Sequence, residues 1–481
     1  MLLYHTLLYL PAQLLGPAFQ LLAAVVWTHW LSPSEYGVLA LIIAAQELVF
    51  SLCLSWWSQY TTRYYAAHQE EGSTARFQPT ENSVLLGSVL LQTLVASIAL
   101  AFSDARLDLA LIGATVLFTV SRSIATYLGE RARASGRIAA YTLAQTTGPV
   151  IGCLIGFAAV LEGHATATAV LAGFALAQTL TLPLLWRMLG LGAALGLDRG
   201  ILSIAIRYGA PLLGAGVISW ASVNGLRVVV DLFNGAADVG LISVGWNLGQ
   251  RAAVVAAMLV TAAAYPLAVR RAVTHSRGAA LAQLAQAGAL LLGVLAPIAV
   301  GLLIVNRTAV ELLIGPEFQS ITIAILPIAV LSGAIRNLRM HYADQTFLLC
   351  ERSDIALMVC AIEAVLVVPL CIIGLLVKGL VGACLGCLAG HALAAVIIFI
   401  LAVGRFRLPV PWAHFGRIAL ATLCMAGLLE GLPWTATRLG LLAEVAIGGL
   451  AYAVVIALLY WRELRNLQAA WLARSTAPAA N

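Results

Sequence analysis

The stretch from Tyr208 to Arg251 decides how the rest of the chain is interpreted, and it reads YGAPLLGAGVISWASVNGLRVVVDLFNGAADVGLISVGWNLGQR. It consists of two apolar segments joined by a short turn at Asn234–Gly240. Each segment has about the 20 residues that a helix needs to cross a bilayer. Arg227, Asp231 and Arg251 interrupt the apolar sequence. A charge at bilayer depth costs at least ~2.5 kcal/mol, so we expect these side chains to face a partner or a watery cavity.

The composition places the whole chain of 481 residues in a membrane. Hydrophobic residues make up 62% of the sequence and charged residues 10%, with a mean hydropathy of +0.96. Soluble domains carry about 25% charged residues. The apolar runs are long and unbroken, which favours α-helices over the short alternating strands of a β-barrel.

The net charge of +6 comes almost entirely from arginine, because Lys378 is the only lysine. No glycine-rich phosphate loop or basic aromatic module accompanies these arginines, so we predict no nucleic-acid partner. Cys384 and Cys387 have CxxC spacing, but no second pair follows them in the sequence. We interpret the cysteines as packing residues and predict no metal site, no cofactor and no catalytic residue.

The hydropathy pattern predicts about 14 membrane spans. Their approximate bounds are Leu7–Trp30, Val38–Tyr60, Val84–Ser103, Leu109–Leu128, Ile138–Val160, Ala167–Met188, Tyr208–Asp231, Leu241–Tyr265, Leu281–Val305, Ile321–Arg339, Ile355–Val377, Leu380–Val403, Phe415–Leu432 and Leu439–Trp461.

The arginines between the spans predict the orientation. Most lie in alternate loops, among them Arg131, Arg133 and Arg137, whereas the opposite loops contain only four basic residues: Arg106, Arg307, Lys378 and Arg438. By the positive-inside rule, both termini are expected to be cytoplasmic.

Similar segments recur at an offset of roughly 200–220 residues. The pairs are Ala134–Tyr141 with Glu351–Met358, Leu161–Ala177 with Leu376–Ala394, and Leu31–Leu41 with Asn234–Val244. Parallel repeats of this kind are one way in which transporters are built. We therefore predict an all-α polytopic membrane protein with two pseudo-symmetric six-helix lobes, 1–195 and 196–404, followed by two helices and a cytoplasmic tail in 405–481.

Charged and polar residues inside the spans are the candidate functional residues. Three arginines facing lipid without compensation would cost about 8–10 kcal/mol, which predicts a cationic, substrate-binding cavity. The proposed cavity arginines are Arg122, Arg227, Arg251 and Arg336. The candidates for coupling to an ion gradient are Glu47, Asp231 and Glu363. The polar lining is expected to include Ser51, Ser55, Thr119 and Asn247, which share helix faces with these charges.

Structural alternatives exist for these residues. Arg227 and Asp231 have the spacing of an ion pair on one helix, and Glu47 and Arg122 would form an ion pair between helices. Arg336 would extend to the cytoplasmic interface. The serine, threonine and asparagine side chains would only join neighbouring helices through hydrogen bonds.

Three stretches carry a resemblance to a known family. They are LSPSEYGVLALIIAAQELVFSLCLSWWSQYTTRYY at Leu31–Tyr65, GPEFQSITIAILPIAVLSG at Gly315–Gly333, and the segment from Pro211 through VGLISVGWNLGQR. Together they resemble Wzx-type polysaccharide (O-antigen) flippases of the MOP (MATE-like) exporter superfamily. That family often has an acidic residue beside the arginine of its seventh helix. Here the neighbour of Arg227 is Leu226, and Asp231 follows one turn later.

The resemblance implies two six-helix lobes that face each other as a V. It also implies export of an undecaprenyl-pyrophosphate-linked oligosaccharide across the cytoplasmic (inner) membrane of a bacterium, driven by a proton or sodium gradient. The implied partners are membrane lipids and polymerase or export proteins. Two alternatives are a MATE-like multidrug or metabolite exporter and a membrane polysaccharide polymerase or ligase. The arginine excess speaks against the first alternative, because an exporter of cations would favour an acidic lumen. The short predicted outer loops speak against the second, because they leave no room for an ordered catalytic platform.

Overall fold

The computed structural model describes residues 16, 18–101, 108–350, 352–433, 435–463 and 465. Within these ranges the chain forms helices and connecting loops, without a β-strand. The predicted all-α fold class is therefore confirmed.

The helices follow one another with short connections. They are α1 (Ala18–Trp27), α2 (Pro33–Cys53), α3 (Ser55–Glu70), α4 (Thr74–Ala101), α5 (Leu109–Ala134), α6 (Ile138–Thr146), α7 (Cys153–Leu161), α8 (Ala167–Leu189), α9 (Arg199–Asn234), α10 (Ala236–Thr274), α11 (Arg277–Leu313), α12 (Pro316–Leu338), α13 (Asp344–Leu349), α14 (Ser353–Gly404), α15 (Trp412–Gly431) and α16 (Arg438–Leu459). Two π-helical segments, Thr147–Gly152 and Arg339–Ala343, join α6 to α7 and α12 to α13.

Eleven helical segments in the described ranges are long and apolar enough to cross a membrane. One of them lies in α14, a helix that contains both the eleventh and the twelfth predicted span. Its backbone leaves helical geometry at Lys378 and Gly379, where φ is −139° and +61°. A Cβ on Gly374 would lie 2.0 Å from the carbonyl oxygen of Gly382, so the two halves fold back on each other as a hairpin. The start of the first predicted span lies outside the described residues.

The chain divides into two compact units. The first comprises Met1–Arg251, Ile314–Ile328 and Ser353–Ala394, and the second comprises Ala252–Leu313, Ala329–Arg352 and Ala395–Asn481. The predicted lobes, 1–195 and 196–404, stay a prediction.

A buried ion pair organises one end of the first unit, where α3, α4 and α5 meet. Arg131 Nε donates to Glu81 Oε1 over 2.9 Å, and the two side chains are 3% and 0% exposed. The guanidinium carbon of Arg131 lies 3.3 Å from the centroid of the Tyr65 ring, and Tyr127 donates its hydroxyl to the same Glu81 oxygen. We call this group the Glu81–Arg131 cluster: Trp57, Tyr65, Phe77, Glu81, Tyr127 and Arg131.

The first turns of α2 and α10 cross in backbone contact. A Cβ on Gly37 would lie 1.7 Å from the carbonyl oxygen of Ala236, and a Cβ on Gly240 would lie 1.9 Å from that of Pro33. The two contacts are reciprocal. Gly37 and Gly240 also occupy matching positions in the repeated segments Leu31–Leu41 and Asn234–Val244. Only glycine permits this approach, because any other residue adds the Cβ that clashes.

Candidate functional site

A cavity of about 170 Å³ lies inside the first unit. Its lining comes from α1, α2, α5, α8, α10 and the first π-helical segment: Gln20, Ala23, Ala24, Trp27, Tyr36, Leu39, Ala40, Ile43, Glu47, Phe118, Arg122, Pro149, Phe174, Asn247 and Arg251. We call it the arginine cavity. Tyr36 directly precedes the glycine crossing of α2 and α10, so the cavity ends close to that contact.

Arg122 is held by an amide rather than by a carboxylate. Its Nε donates to Gln46 Oε1 over 3.0 Å. The amide nitrogen of Gln46 in turn donates to Ser123 Oγ over 3.1 Å, which fixes the orientation of the amide. The ring of Phe118 lies 5.8 Å from the guanidinium carbon. The guanidinium is therefore held by a neutral group, and Glu47 acts on its charge only from beyond ion-pair distance.

Arg227 and Arg251 are held in the same manner. Arg227 donates to the side-chain oxygens of Asn224 and Asn247. Arg251 donates to the side-chain oxygen of Gln20. Tyr36 of α2 and Asn247 of α10 both line the cavity. Each guanidinium group thus rests on a neutral acceptor supplied by a helix.

Glu47 is the one carboxylate in the cavity lining. It accepts a hydrogen bond of 3.2 Å from Asn224 Nδ2. Among the described residues, neither Glu47 nor any other carboxylate approaches Arg122, Arg227 or Arg251 within ion-pair distance. The two ion pairs considered from the sequence, Arg227 with Asp231 and Glu47 with Arg122, are therefore not formed.

The remaining predicted residues lie in several places. Asp231 is half-buried on α9, one turn beyond Arg227. Ser51 donates to the carbonyl oxygen of Glu47 in α2, Ser55 at the start of α3 donates to that of Ser51 in α2, and Thr119 is buried on α5. Arg336 is half-buried and belongs to the second unit.

Glu363 lies in the α14 hairpin. Its Oε1 is 3.3 Å from Nε2 of His391, and both side chains are 3% exposed. The hairpin thus places a carboxylate next to an imidazole away from solvent.

Several of the residues that build the cavity were not predicted from the sequence. Gln20, Gln46 and Asn224 hold the arginines, and Tyr36 closes one end. One signal was present: Gln20 is the only amide in the apolar segment Ala18–Trp27. Gln46 and Asn224 are each three residues or fewer from a predicted site residue, but sequence spacing does not reveal which helices face each other.

The chemistry of this arrangement favours an anionic group. Guanidinium groups present planar, paired donors that match phosphate oxygens. About 10–15 Å³ of cavity volume is enough for one water molecule. At about 170 Å³, the cavity has room for a phosphate or pyrophosphate group.

Comparison with known proteins gives a consistent result. The model of a family described as "Polysaccharide biosynthesis protein" matches residues 26–323. No curated protein matches the chain by sequence. The fold is similar to that of the lipid II flippase MurJ in an inward closed conformation, with a TM-score of 0.70 and 15% identity over 95% of this chain and 99% of that one.

Two further solved structures share the fold at lower similarity. One is a multidrug resistance MATE family transporter of the MOP superfamily in an inward-facing conformation, with a TM-score of 0.55 and 14% identity over 84% of this chain and 98% of that one. The other is a MOP superfamily transporter from Pyrococcus furiosus, described by a reversed polarity of its binding pocket, with a TM-score of 0.51 and 15% identity over 84% and 95%. The predicted resemblance to transporters of the MOP superfamily is thereby confirmed for the fold.

Proposed function

The chain belongs to the polysaccharide biosynthesis protein family, and from that premise we propose that it flips a polyprenyl-pyrophosphate-linked oligosaccharide across the cytoplasmic membrane for polysaccharide export. The observation that carries this proposal is the arginine cavity. Arg122 and Arg251 line it, and Arg227 donates to its lining residue Asn247; no described carboxylate lies within ion-pair distance of these arginines. The charge of Arg122 and Arg251 is available to the pyrophosphate of a lipid-linked sugar.

The energetics support an anionic substrate. Burying guanidinium groups away from water is costly unless a counter-charge or a cavity compensates. An anion that enters the cavity supplies the missing counter-charge, and its phosphate oxygens accept charge-assisted hydrogen bonds. The substrate therefore gains affinity from the charge that the helices leave uncompensated.

We propose that the substrate crosses by alternating access between the predicted lobes, 1–195 and 196–404. The reciprocal contact at Gly37 and Gly240 supports this step, because it joins matching positions of the repeat next to the cavity. Two helix ends in backbone contact can separate without pulling interdigitated side chains apart. If α2 and α10 separate here, on the side predicted to be extracytoplasmic, a path to the outer leaflet would open.

Coupling to a proton or sodium gradient would require an acidic residue that changes its charge or its ligand. We propose Glu363 as a proton-binding candidate, because His391 lies beside it in a buried site. Glu47 is a candidate for sensing the substrate, because it lines the same cavity as Arg122 and Arg251. Asp231 remains a third candidate on α9.

The decisive experiment is a flipping assay with purified protein in proteoliposomes. The probe is a fluorescent undecaprenyl-pyrophosphate-linked disaccharide, and its transfer between leaflets is followed by quenching from one side. We expect Arg122→Ala and Arg251→Ala to lower the initial rate at least tenfold, and Arg122→Lys and Arg251→Lys to retain part of it.

Arg307→Ala is the matched control, since Arg307 is exposed and pairs with Glu311 on its own helix. It should flip the probe at the wild-type rate. Full activity of both cavity variants would remove the arginine cavity from the transport path. Export of cationic dyes by the wild type, without transfer of the lipid-linked sugar, would instead favour a drug exporter.

A further inference from the structure

A second basic site lies in the other compact unit, where α14 ends and α11 and α15 begin. A cavity of about 380 Å³ is lined by Arg277, Gly278, Leu281, Arg405, Phe406, Arg407 and Pro409. Three of these seven residues are arginines, and none belongs to the arginine cavity of the first unit. The positive-inside rule explains arginines in this region, but it does not explain why three of them surround one cavity.

The loop that carries two of these arginines is firmly anchored. Phe406 and Leu408 are buried, with exposed fractions of 7% and 2%. The Phe406 ring lies 5.2 Å from that of Phe347 in an edge-on contact. Tyr342 donates its hydroxyl to the carbonyl oxygen of Pro409. Because buried and exposed residues alternate, the anchors leave Arg405 and Arg407 in solvent.

The backbone at Arg407 has φ of +56°. Arg407 is the only non-glycine residue with a positive φ in the described ranges. Non-glycine residues adopt this region rarely, so the anchored loop holds an arginine in an uncommon conformation. An unusual backbone at an exposed charge is a feature that functional sites often show.

The charges of this site are uncompensated within the described chain. Arg277, Arg405 and Arg407 have no hydrogen bond or ion pair through their side chains there; the guanidinium of Arg277 only lies 5.9 Å from the Phe406 ring. Arg277 is also the first residue of α11, a helix of 37 residues. The positive end of that helix adds to the attraction for an anion.

The position of the site along the membrane normal indicates which class of anion binds there. Three candidate membrane spans have one end at the site: Leu357–Gly404, Arg277–Leu313 and Trp412–Gly431. Trp412 is 75% exposed beside it, as in the aromatic belt at a membrane–water interface. The phosphates of the surrounding lipid lie at this level, and basic pockets between helix ends are known to bind anionic headgroups.

We propose that Arg277, Arg405 and Arg407 form a binding site for the headgroup of an anionic phospholipid. The phosphodiester occupies the cavity between the three guanidinium groups and the start of α11. The lipid binds at the side of the membrane that the arginine distribution predicts to be cytoplasmic. This site is separate from the transported substrate and is independent of its identity.

The test is native mass spectrometry of the full chain in neutral detergent, titrated with phosphatidylglycerol, phosphatidylcholine or inorganic phosphate. The wild type is expected to retain phosphatidylglycerol and not phosphatidylcholine. Removing two arginines with Arg405→Gln and Arg407→Gln together should weaken retention roughly 30-fold, at about fivefold for each arginine near a lipid phosphate.

The matched control is the pair Arg199→Gln and Arg207→Gln, which removes two exposed arginines predicted to lie on the same side, from the first unit. It should retain phosphatidylglycerol like the wild type. Equal losses of phosphatidylglycerol retention in both double variants would mean that lipid binding depends only on overall surface charge, which would overturn the proposal. Saturation by inorganic phosphate at the same concentration would show a soluble-anion site and overturn the lipid assignment. A melting temperature measured without added lipid checks that the variants are folded.

Discussion

Arg131 of the Glu81–Arg131 cluster and the partly buried arginines of the arginine cavity lie in the same unit but differ in what their guanidinium groups touch. In the Glu81–Arg131 cluster, Arg131 bonds to a carboxylate over 2.9 Å and lies against the Tyr65 ring. In the arginine cavity, Arg122 and Arg251 bond to the amide oxygens of Gln46 and Gln20. The first arrangement neutralises the charge inside the protein, whereas the second retains it. Burial alone therefore does not identify a functional arginine, and the partner of the guanidinium does.

The largest expected effect is on stability in the Glu81–Arg131 cluster. Glu81→Ala would leave Arg131 buried without its counter-charge, which typically costs about 3–5 kcal/mol. We expect a strongly lowered melting temperature in detergent. Glu130→Ala is the control, because Glu130 pairs with a largely exposed arginine of the same helix, Arg133. Equal melting temperatures for the two variants would contradict a structural role for the cluster.

A second prediction changes a cavity amide into an acid of the same shape. Asn247→Asp would keep the contact with Arg227 and turn it into an ion pair, so the cavity would lose part of its positive charge. We expect about tenfold slower flipping, equivalent to ~1.4 kcal/mol of lost anion stabilisation. Asn247→Ala keeps the charge and should be impaired less. The exposed substitution Gln69→Glu is the charge-matched control. If Asn247→Asp flips as fast as the wild type, the amides do not serve to preserve charge.

A third prediction applies the comparison to stability in the cavity itself. Arg122→Met removes a charge that forms no ion pair among the described residues, and Glu47, which acts on Arg122 from a distance, keeps its hydrogen bond from Asn224. We expect the free energy of unfolding to change by less than about 1 kcal/mol, or to rise. Arg131→Met should be destabilised severely in the same measurement, since it would orphan Glu81. An equally large loss of unfolding free energy for Arg122→Met would mean that both arginines have structural roles.

The smallest expected effect concerns pH at the edge of the Glu81–Arg131 cluster. His68 contacts the Tyr60 hydroxyl over 2.8 Å and Ser73 Oγ over 2.7 Å. Burial lowers the pKa of His68 below its usual 6.5, although Glu71 and Asp198 partly oppose the shift. The unfolded chain therefore binds a proton at His68 before the folded chain does, and stability should decrease as the pH falls through about 6.5.

The effect is expected to be shallow because His68 is only half-buried. Melting temperatures measured from pH 7.5 to 5 should show a smaller decrease for His68→Gln than for the wild type. A wild type whose melting temperature rises over this interval would contradict the assigned direction of the pKa shift.

The sequence alone determined the membrane class and the helical fold. Apolar segments long enough to span a membrane leave few alternatives to α-helices, since only structures that satisfy their own backbone hydrogen bonds cross a bilayer. It also indicated the hairpin in α14, because Lys378 and Gly379 interrupt an apolar run that is long enough for two spans. The arginines at depth stood out for the same reason: each is costly in lipid and therefore rare.

The tertiary structure decided which of these charges are partnered and by what. Sequence spacing suggested that Arg227 pairs with Asp231, yet Arg227 bonds to Asn224 and to Asn247 of another helix. Arg131 was counted among the loop arginines that predict the orientation, yet its side chain is buried and forms an ion pair with Glu81. Periodicity identifies the polar face of one helix but not the helix that it meets. The free energy of a buried charge depends on that neighbour, which only the packed fold specifies.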